Sequence, residues 1–319
     1  MTHFLVTGAN GFVGKALCRL LLEHGHQVTG LVRRPGMCAE GVHEWVHDAP
    51  DFDGLASVWP DTLRPAVVIH LAARVHVMRD TAVDRDAAFR ATNVDGTMRV
   101  AQAARQRGVS SFVYLSSIKA VAESDGGKPL SEETPPMPED PYGRSKLEAE
   151  RALATLRDAG AFDVVVVRPP LVYGPGVGAN FLSLINVVWR GVPLPLGSVA
   201  GRRSLIYVVN LADALMQAGL DKRAANQCFH VADAEDLTVP ELLVRVGEQL
   251  GRSTRLFSLP DWLLRFAARI TGRSEQIRRL TDDLRVDSTC FRTVLGWRPP
   301  YSVDDGLAAT ARWYLTTHS

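Results

Sequence analysis

Two short stretches carry side chains that can move a proton. In "DPYGRSKLEAERAL" Tyr142 and Lys146 stand four apart in a helical pattern, so their side chains share one helix face. An ammonium beside a phenol stabilises the phenolate and lowers its pKa, which makes the tyrosine a usable proton donor or acceptor near neutrality. In "YLSSIK" Ser117 ends a strand-like run. The spacing predicts it at the C-terminal edge of a parallel sheet, where open α/β folds bind ligands and where a hydroxyl can hold a substrate oxygen beside the tyrosine.

A third stretch, "FLVTGANGFVGKAL", places Gly8, Gly11 and Gly14 three apart directly after an apolar run. A turn that leaves a strand and opens a helix offers backbone N–H groups and the positive end of the helix dipole to an anion. Gly8 permits the tight turn, Gly11 lets the backbone approach a pyrophosphate, and Gly14 lets the helix pack on the strand. The next strand-like run ends in "LVRRPG", with Arg33 and Arg34 and no acid. An acid there bonds a ribose 2′-hydroxyl, whereas arginine suits a 2′-phosphate, so NADP(H) is favoured and NAD(H) is the alternative. Arginines that are merely solvated, or that stack on the adenine, are the competing readings of Arg33 and Arg34.

The elements that must position these residues alternate. Strand-like runs "FLVTG", "QVTGLV", "AVVIHLAA", "SFVYLSS" and "DVVVVRP" are separated by helical patterns such as "VGKALCRLLLEHG" and "NVDGTMRVAQAARQRG", each closed by a glycine, Gly25 or Gly108. This is the pattern of βαβ units on a parallel sheet. Glycine and proline interrupt it from about Gly174 to Arg203. "SLIYVVNLADALMQAGL" then reads as a strand and helix returning to the first lobe, "NQCFHVAD" as a further strand, and the chain from Leu237 as mostly helical. The expected organisation is a dinucleotide-binding lobe over residues 1–173, with 204–235 returning to it, and a smaller, mostly helical substrate lobe over 174–203 and 236–319.

With 319 residues, 46% hydrophobic and 22% charged, the composition is that of a globular protein with a large core. A formal net charge of +1, with basic runs no longer than Arg33-Arg34 and Arg278-Arg279, argues against nucleic acid as a partner. Cys18, Cys38, Cys228 and Cys290 lack metal-site spacing, so neither a metal nor a disulfide framework is expected. No apolar stretch reaches the roughly 18 to 20 residues of a membrane span, and no signal-like segment opens the chain, so a cytoplasmic location is expected.

Taken together, "TGANGFVG", "HLAA" at 70–73, "NVDGT" at 93–97, "SS" at 116–117, "YGRSK" at 142–146 and "LGW" at 295–297 resemble the extended short-chain dehydrogenases/reductases, along essentially the whole chain. The resemblance implies an α/β, Rossmann-type doubly wound parallel sheet. It implies that Ser117, Tyr142 and Lys146 are catalytic, with Lys146 also bonding the nicotinamide ribose. Asn10, Phe12 and Val13 of the first turn, Leu71, Ala72 and Ala73, Ser116 and Pro169 would line the dinucleotide. Asp48 and Ala49 would contact the adenine, unless they only end a strand. Asn93 would support Lys146 through water or serve the helix alone. A homodimer through the "NVDGTMRVAQAA" and "YGRSKLEAERAL" helices is also implied.

In the nucleotide-sugar members, an Asn at a helix start and an Arg before a returning strand hold the diphosphate of a UDP-sugar. Asn180 and Arg203 match these positions, with a loop cap or a surface charge as the competing readings. Arg279 is a further diphosphate candidate, and Lys119 either meets the sugar or diphosphate or is solvated. Where 4-epimerases commonly carry a polar Asn, this chain has Pro170 and Leu171 in "RPPLVYGPG". Where dehydratases carry an acidic pair, Ile118 and Lys119 follow Ser117. "HLAARVHVM", "LSSIKAVAE" and "YGRSKLEAE" most resemble bacterial surface-polysaccharide enzymes, and with these departures the resemblance implies an NADP(H)-linked 4-ketoreductase of a UDP-4-keto-6-deoxy-N-acetylhexosamine. The alternatives are a UDP-hexose 4-epimerase with tightly held NAD and a non-catalytic dinucleotide sensor.

Overall fold

The computed structural model describes residues 1–75, 84–157, 161–260, 262, 263, 266, 269, 278 and 280–318. Apolar, β-branched runs become β1 His3–Thr7, β2 Gln27–Val32, β4 Val67–His70, β5 Ser111–Leu115, β6 Asp163–Arg168 and β10 Cys228–His230. Together with β3 His43–Val46 they form one seven-stranded sheet in the order β10-β6-β5-β4-β1-β2-β3, with every pairing parallel. β3 is the strand that periodicity misses. "HEWV" lies at the sheet edge and stays partly solvated, so it needs no apolar run.

Parallel strands read as continuous apolar runs because helices cover both faces. Side chains alternate along β1: Phe4 and Val6 pack with Leu17 and Leu21 of α1 (Phe12–Glu23) and with Leu211 and Leu215 of α7 (Val208–Leu220). Leu5 packs on the other face, where the core is built with Val100, Ala101 and Ala104 of α4 (Thr97–Gln106) and Ala149 and Leu153 of α5 (Pro141–Ala154). Gly25 and Gly108 take φ of 73° and 75°, which lets the chain leave α1 and α4. The shorter helices α2 (Leu55–Val58) and α3 (Arg85–Arg90) join β3 to β4 and precede α4. Between α3 and α4 the backbone makes a π turn over Ala91–Gly96, a distortion common at functional sites, and Asn93 stands in it.

A second core gathers Phe181 and Ile185 of α6 (Ala179–Trp189), Leu242 and Val246 of α8 (Val239–Leu250), and Leu307 and Tyr314 of the last helix. With α9 Thr289–Leu295 preceding it, that last helix is α10 Val303–His318. Two short strand pairs serve this region: β7 Leu171–Tyr173 runs parallel to β9 Leu205–Tyr207, and β8 Arg202–Arg203 runs antiparallel to β11 Leu237–Thr238. The structure corrects one expected strand: Leu205–Tyr207 pairs with β7 instead of returning to the large sheet, and α7 makes the return, because its apolar face fits under β1 and β4. Phe291 and Trp297, assigned from sequence to the second lobe, belong to the first core. Phe291 lies edge-on to Phe229 of β10, and the Trp297 indole donates to Asp213 of α7. Among the described residues no helix is long and apolar enough to cross a membrane.

Candidate active site

The ends of β1, β4, β5 and β6 open on one edge of the sheet. At β1, Thr7 Oγ1 accepts hydrogen bonds of 3.1 Å from the backbone N–H groups of both Leu71 and Ala72. The glycine turn is thereby fastened to the strand end that carries Leu71, Ala72 and Ala73. Gly8 has φ +67° and a Cβ there would stand 3.0 Å from Ala72 N, so only glycine fits. Gly11 N–H closes the turn on Gly8 O at 2.9 Å. A Cβ on Gly14 would come within 2.1 Å of Gly8 O. Gly14 therefore makes room for the turn itself, whereas the sequence reading had it facing the strand.

This cradle fits a dinucleotide. Gly11, the N-cap of α1, has no side chain to cap the helix, and no acid stands in the first turn, so the first N–H groups and the positive helix end are left for an anion. Asn10 lies in the turn, while Phe12 packs against the second core and Val13 against both. Arg33 and Arg34 are exposed beyond the end of β2, and Asp48 and Ala49 follow β3. Sequence reasoning missed Glu44 of β3. Its carboxylate accepts from the backbone N–H groups of Gly36, Met37 and Cys38 at 2.6, 3.2 and 3.0 Å, and these bonds hold it below the usual carboxylate range.

One face of α5 closes on the end of β5. Asp140 caps the helix by accepting from Gly143 N–H at 2.7 Å, and Pro141 opens it. Gly143 lies hard against the turn after Ser117, with room for no side chain. Tyr142 and Ser117 are joined by a side-chain hydrogen bond. Lys146 Nζ donates to Leu115 O at 2.8 Å and stands 4.7 Å above the Tyr114 ring and 5.8 Å from the Tyr142 ring. The expected proton-transfer residues are thus brought together. Burial lowers Lys146 to about 7, opposed by the negative charge of Glu150. Burial raises Tyr142, with Asp140 adding to the rise and the Ser117 hydrogen bond opposing it. The pair therefore rests as a phenol beside a lysine titrating near neutrality, where spacing alone predicts a tyrosine with a lowered pKa; burial outweighs the neighbouring charge.

The remaining residues are placed as follows. Asn93, 1% exposed, uses both amide donors, on Arg74 O and Ser145 Oγ, and accepts from Arg74 N–H at 2.7 Å. It staples the segment after β4 to α5, and no donor is left for water on Lys146. The Ser116 hydroxyl is buried and donates to Glu150. Pro169 O accepts from Ile118 N–H at 2.9 Å, which fastens the end of β6 beside Ser117. Lys119 is not solvated: it bridges Glu123 at 3.1 Å and Asp140 at 2.7 Å. Asn180 is exposed in the first turn of α6, and Arg203 in β8 donates to Asp282 O at 3.1 Å. Arg279 lies outside the described residues. Among those residues no group of His, Cys, Asp and Glu is set to hold a metal ion.

A family model, the NAD dependent epimerase/dehydratase family, matches residues 4–232. The chain is 35% identical to a UDP-glucose 4-epimerase of Vibrio cholerae, over 99% of this chain and 96% of that protein. It is 31% identical to a UDP-glucose 4-epimerase of Mycolicibacterium smegmatis, over 97% of each. Among solved structures, UDP-glucose 4-epimerase of Thermotoga maritima with UDP-glucose superposes with a TM-score of 0.80 at 22% identity, over 99% of this chain and all of that one, a likeness of fold.

Proposed function

We propose a function for a chain that belongs to the NAD dependent epimerase/dehydratase family: reversible oxidation at C4 of a UDP-linked hexose, run as a 4-epimerase. The observation that carries it is the meeting of Ser117, Tyr142 and Lys146 at the end of β5, beside the glycine cradle. An NAD(P) dinucleotide held by that cradle supplies the hydride acceptor and donor. Tyr142 takes the proton from the C4 hydroxyl and returns it, and Ser117 shares the hydrogen bond to the sugar oxygen. Lys146 stabilises the phenolate that Tyr142 passes through. Arg203 and Asn180 would hold the diphosphate, for which a guanidinium makes paired, charge-assisted bonds.

The relatives' printed activity supports the epimerase over the expected ketoreductase. Glu44 bears on the cofactor in the same direction. It fills the three successive backbone N–H groups of Gly36, Met37 and Cys38 in the loop after Arg34, which closes these donors to a 2′-phosphate and favours NAD. The second reading, an NADP(H)-linked 4-ketoreductase, is favoured by Arg33 and Arg34 and by Leu171. This leucine is 46% exposed beside Pro169, where an epimerase would carry a polar contact for the sugar. The same family reading carries a homodimer through α4 and α5.

The nucleotide released on denaturing freshly purified protein separates the two. Near-stoichiometric NAD, with conversion of UDP-galactose to UDP-glucose without added cofactor, is the expected result. An empty protein that binds NADPH more tightly than NADH would replace the epimerase with the reductase.

A further inference from the structure

The face of α5 that carries Tyr142 and Lys146 continues one turn further to Glu150, a buried carboxylate that the reaction above does not use. Three successive residues at the end of β5 meet three successive positions on this face. Leu115 O accepts from Lys146, the Ser116 hydroxyl donates to Glu150, and Ser117 bonds Tyr142. Behind Glu150 stands Arg168, the last residue of β6, which reaches both carboxylate oxygens through Nε at 3.0 Å and Nη2 at 2.5 Å. Arg168 is 7% exposed, and its remaining arm lies 3.5 Å from Nε2 of buried His230, whose Nδ1 is bonded to Leu130 O.

We propose that Glu150, clamped by Arg168 and Ser116, is a positioning residue that holds α5 in register on residues 115–117 and supplies the negative charge facing the Lys146 ammonium. The inference rests on the proposed catalytic roles of Tyr142 and Lys146. Its logic is one of compensation. Lys146 is 2% exposed, and these groups around its ammonium are neutral: the Tyr114 ring and Leu115 carbonyl of β5, the phenol of Tyr142 on its own helix, and neutral His70 of β4. Asp140 acts on Tyr142 from the helix start and is paired with Lys119. Glu150 is the acid that opposes the cost of burying Lys146, while Arg168 neutralises what Glu150 would otherwise cost. A buried ion pair is weak evidence for stability alone. This one bonds the residue preceding Ser117, which ties the pair to the site.

The chain has five lysines, Lys15, Lys119, Lys128, Lys146 and Lys222, so the pH titration of Lys146 can be followed by carbon-13 NMR of ε-labelled lysine, assigned with Lys146→Arg. In Glu150→Gln the Lys146 signal is expected to titrate about one unit or more lower than in the wild type. Turnover should fall by about tenfold or more with KM for UDP-hexose nearly kept, and Glu150→Asp should recover part of both effects. If Glu150→Gln does not fold, Glu150→Gln/Arg168→Met removes both charges and leaves none unpaired; this variant should fold, turn over slowly, and still titrate Lys146 below the wild type. A folded variant with wild-type turnover and wild-type Lys146 titration overturns the proposal. The titration is read without substrate, so a wild-type protein that proves inactive on UDP-hexoses would remove the function proposed above and leave the lysine result to decide this inference.

Discussion

Gly143→Ala tests whether the approach of α5 to the Ser117 turn sets the rate. Gly143 lies inside α5 with an ordinary helical backbone, where alanine is intrinsically better than glycine by about 1 kcal/mol, so any loss must come from contact. The added Cβ would stand 2.3 Å from Lys119 O, 3.0 Å from Lys119 C and 3.2 Å from Asp140 Oδ1. The first of these is a backbone atom in a turn held by Ser117 Oγ accepting from Lys119 N–H, by Ala120 N–H on Ser117 O and by Ile118 N–H on Pro169 O. It cannot swing aside as a side-chain tip would. Restoring an ordinary carbon–oxygen contact requires α5 and the turn to separate by roughly 1 Å, a displacement that costs on the order of 100-fold in rate when it falls between reacting groups.

Tyr142 neighbours the clash on one side and Ser117 lies two residues from it on the other, so their hydrogen bond is the one that opens. The glycine cradle, on β1 and α1, is not in contact with Gly143. The expected result is therefore a kcat about 100-fold lower, or about 2.7 kcal/mol of barrier, in a coupled UDP-galactose assay, with bound nucleotide unchanged. A Gly143→Ala enzyme within threefold of wild-type kcat, or one that loses its nucleotide, would refute this reasoning.

Three further outcomes follow from the same geometry. Tyr142→Phe should keep its nucleotide and lose turnover by about 10²- to 10⁴-fold, and undiminished turnover would remove Tyr142 as the proton-transfer group. Gly14→Ala, whose Cβ would press within 2.1 Å of Gly8 O, should release the nucleotide on purification; a wild-type content measured after denaturation would contradict the cradle. Burial pushes His70 down to about 3 and His230 to about 4, so both are neutral in the native protein. Their contribution is complete above the unfolded value of about 6.5 and is lost as pH falls from there through the folded values. Each should cost about 1.4 kcal/mol between pH 7.5 and pH 5.5, read from urea midpoints; equal stability at the two pH values would count against their neutral burial.

How far the fold could be read from sequence depended on how much of each element's signal was local. β1, β2, β4, β5 and β6 show as unbroken apolar runs because strands buried on both faces have no polar side to interrupt them. Gly25 and Gly108 mark helix ends because a left-handed residue is a one-position requirement. β3 escapes because an edge strand pairs on one side only, and Glu44 at its centre spends its charge on the backbone of the preceding loop. The partners of β7 and β9 escape because three residues carry too little pattern to say which ladder they join. Phe291 and Trp297 had an apolar signal, but their sequence position, among second-core helices, pointed to the wrong core.

The site divides along the same line. Tyr142 and Lys146 are legible as a pair because i,i+4 spacing is a property of one helix, and by that rule Glu150 belongs to the same face. Spacing does not say which strand end the face meets, so it gives neither Glu150 nor Ser116 a partner. The tertiary pairing assigns both: Ser116 N–H bonds Val167 O across to β6, its hydroxyl turns to Glu150, and Arg168 arrives from the same strand. Lys119 and Asn93 were left with open readings for the same reason, since the Asp140 side chain and the Arg74 backbone that they bond are some twenty residues away. The consequence is directional. Residue types at the tip of the site mark it for proton transfer, while on the inference above the protonation of Lys146 is set by burial and by a carboxylate whose own partner lies on another strand. A relative that kept Ser117, Tyr142 and Lys146 and exchanged the Glu150–Arg168 pair would therefore keep the chemistry and work at a different pH.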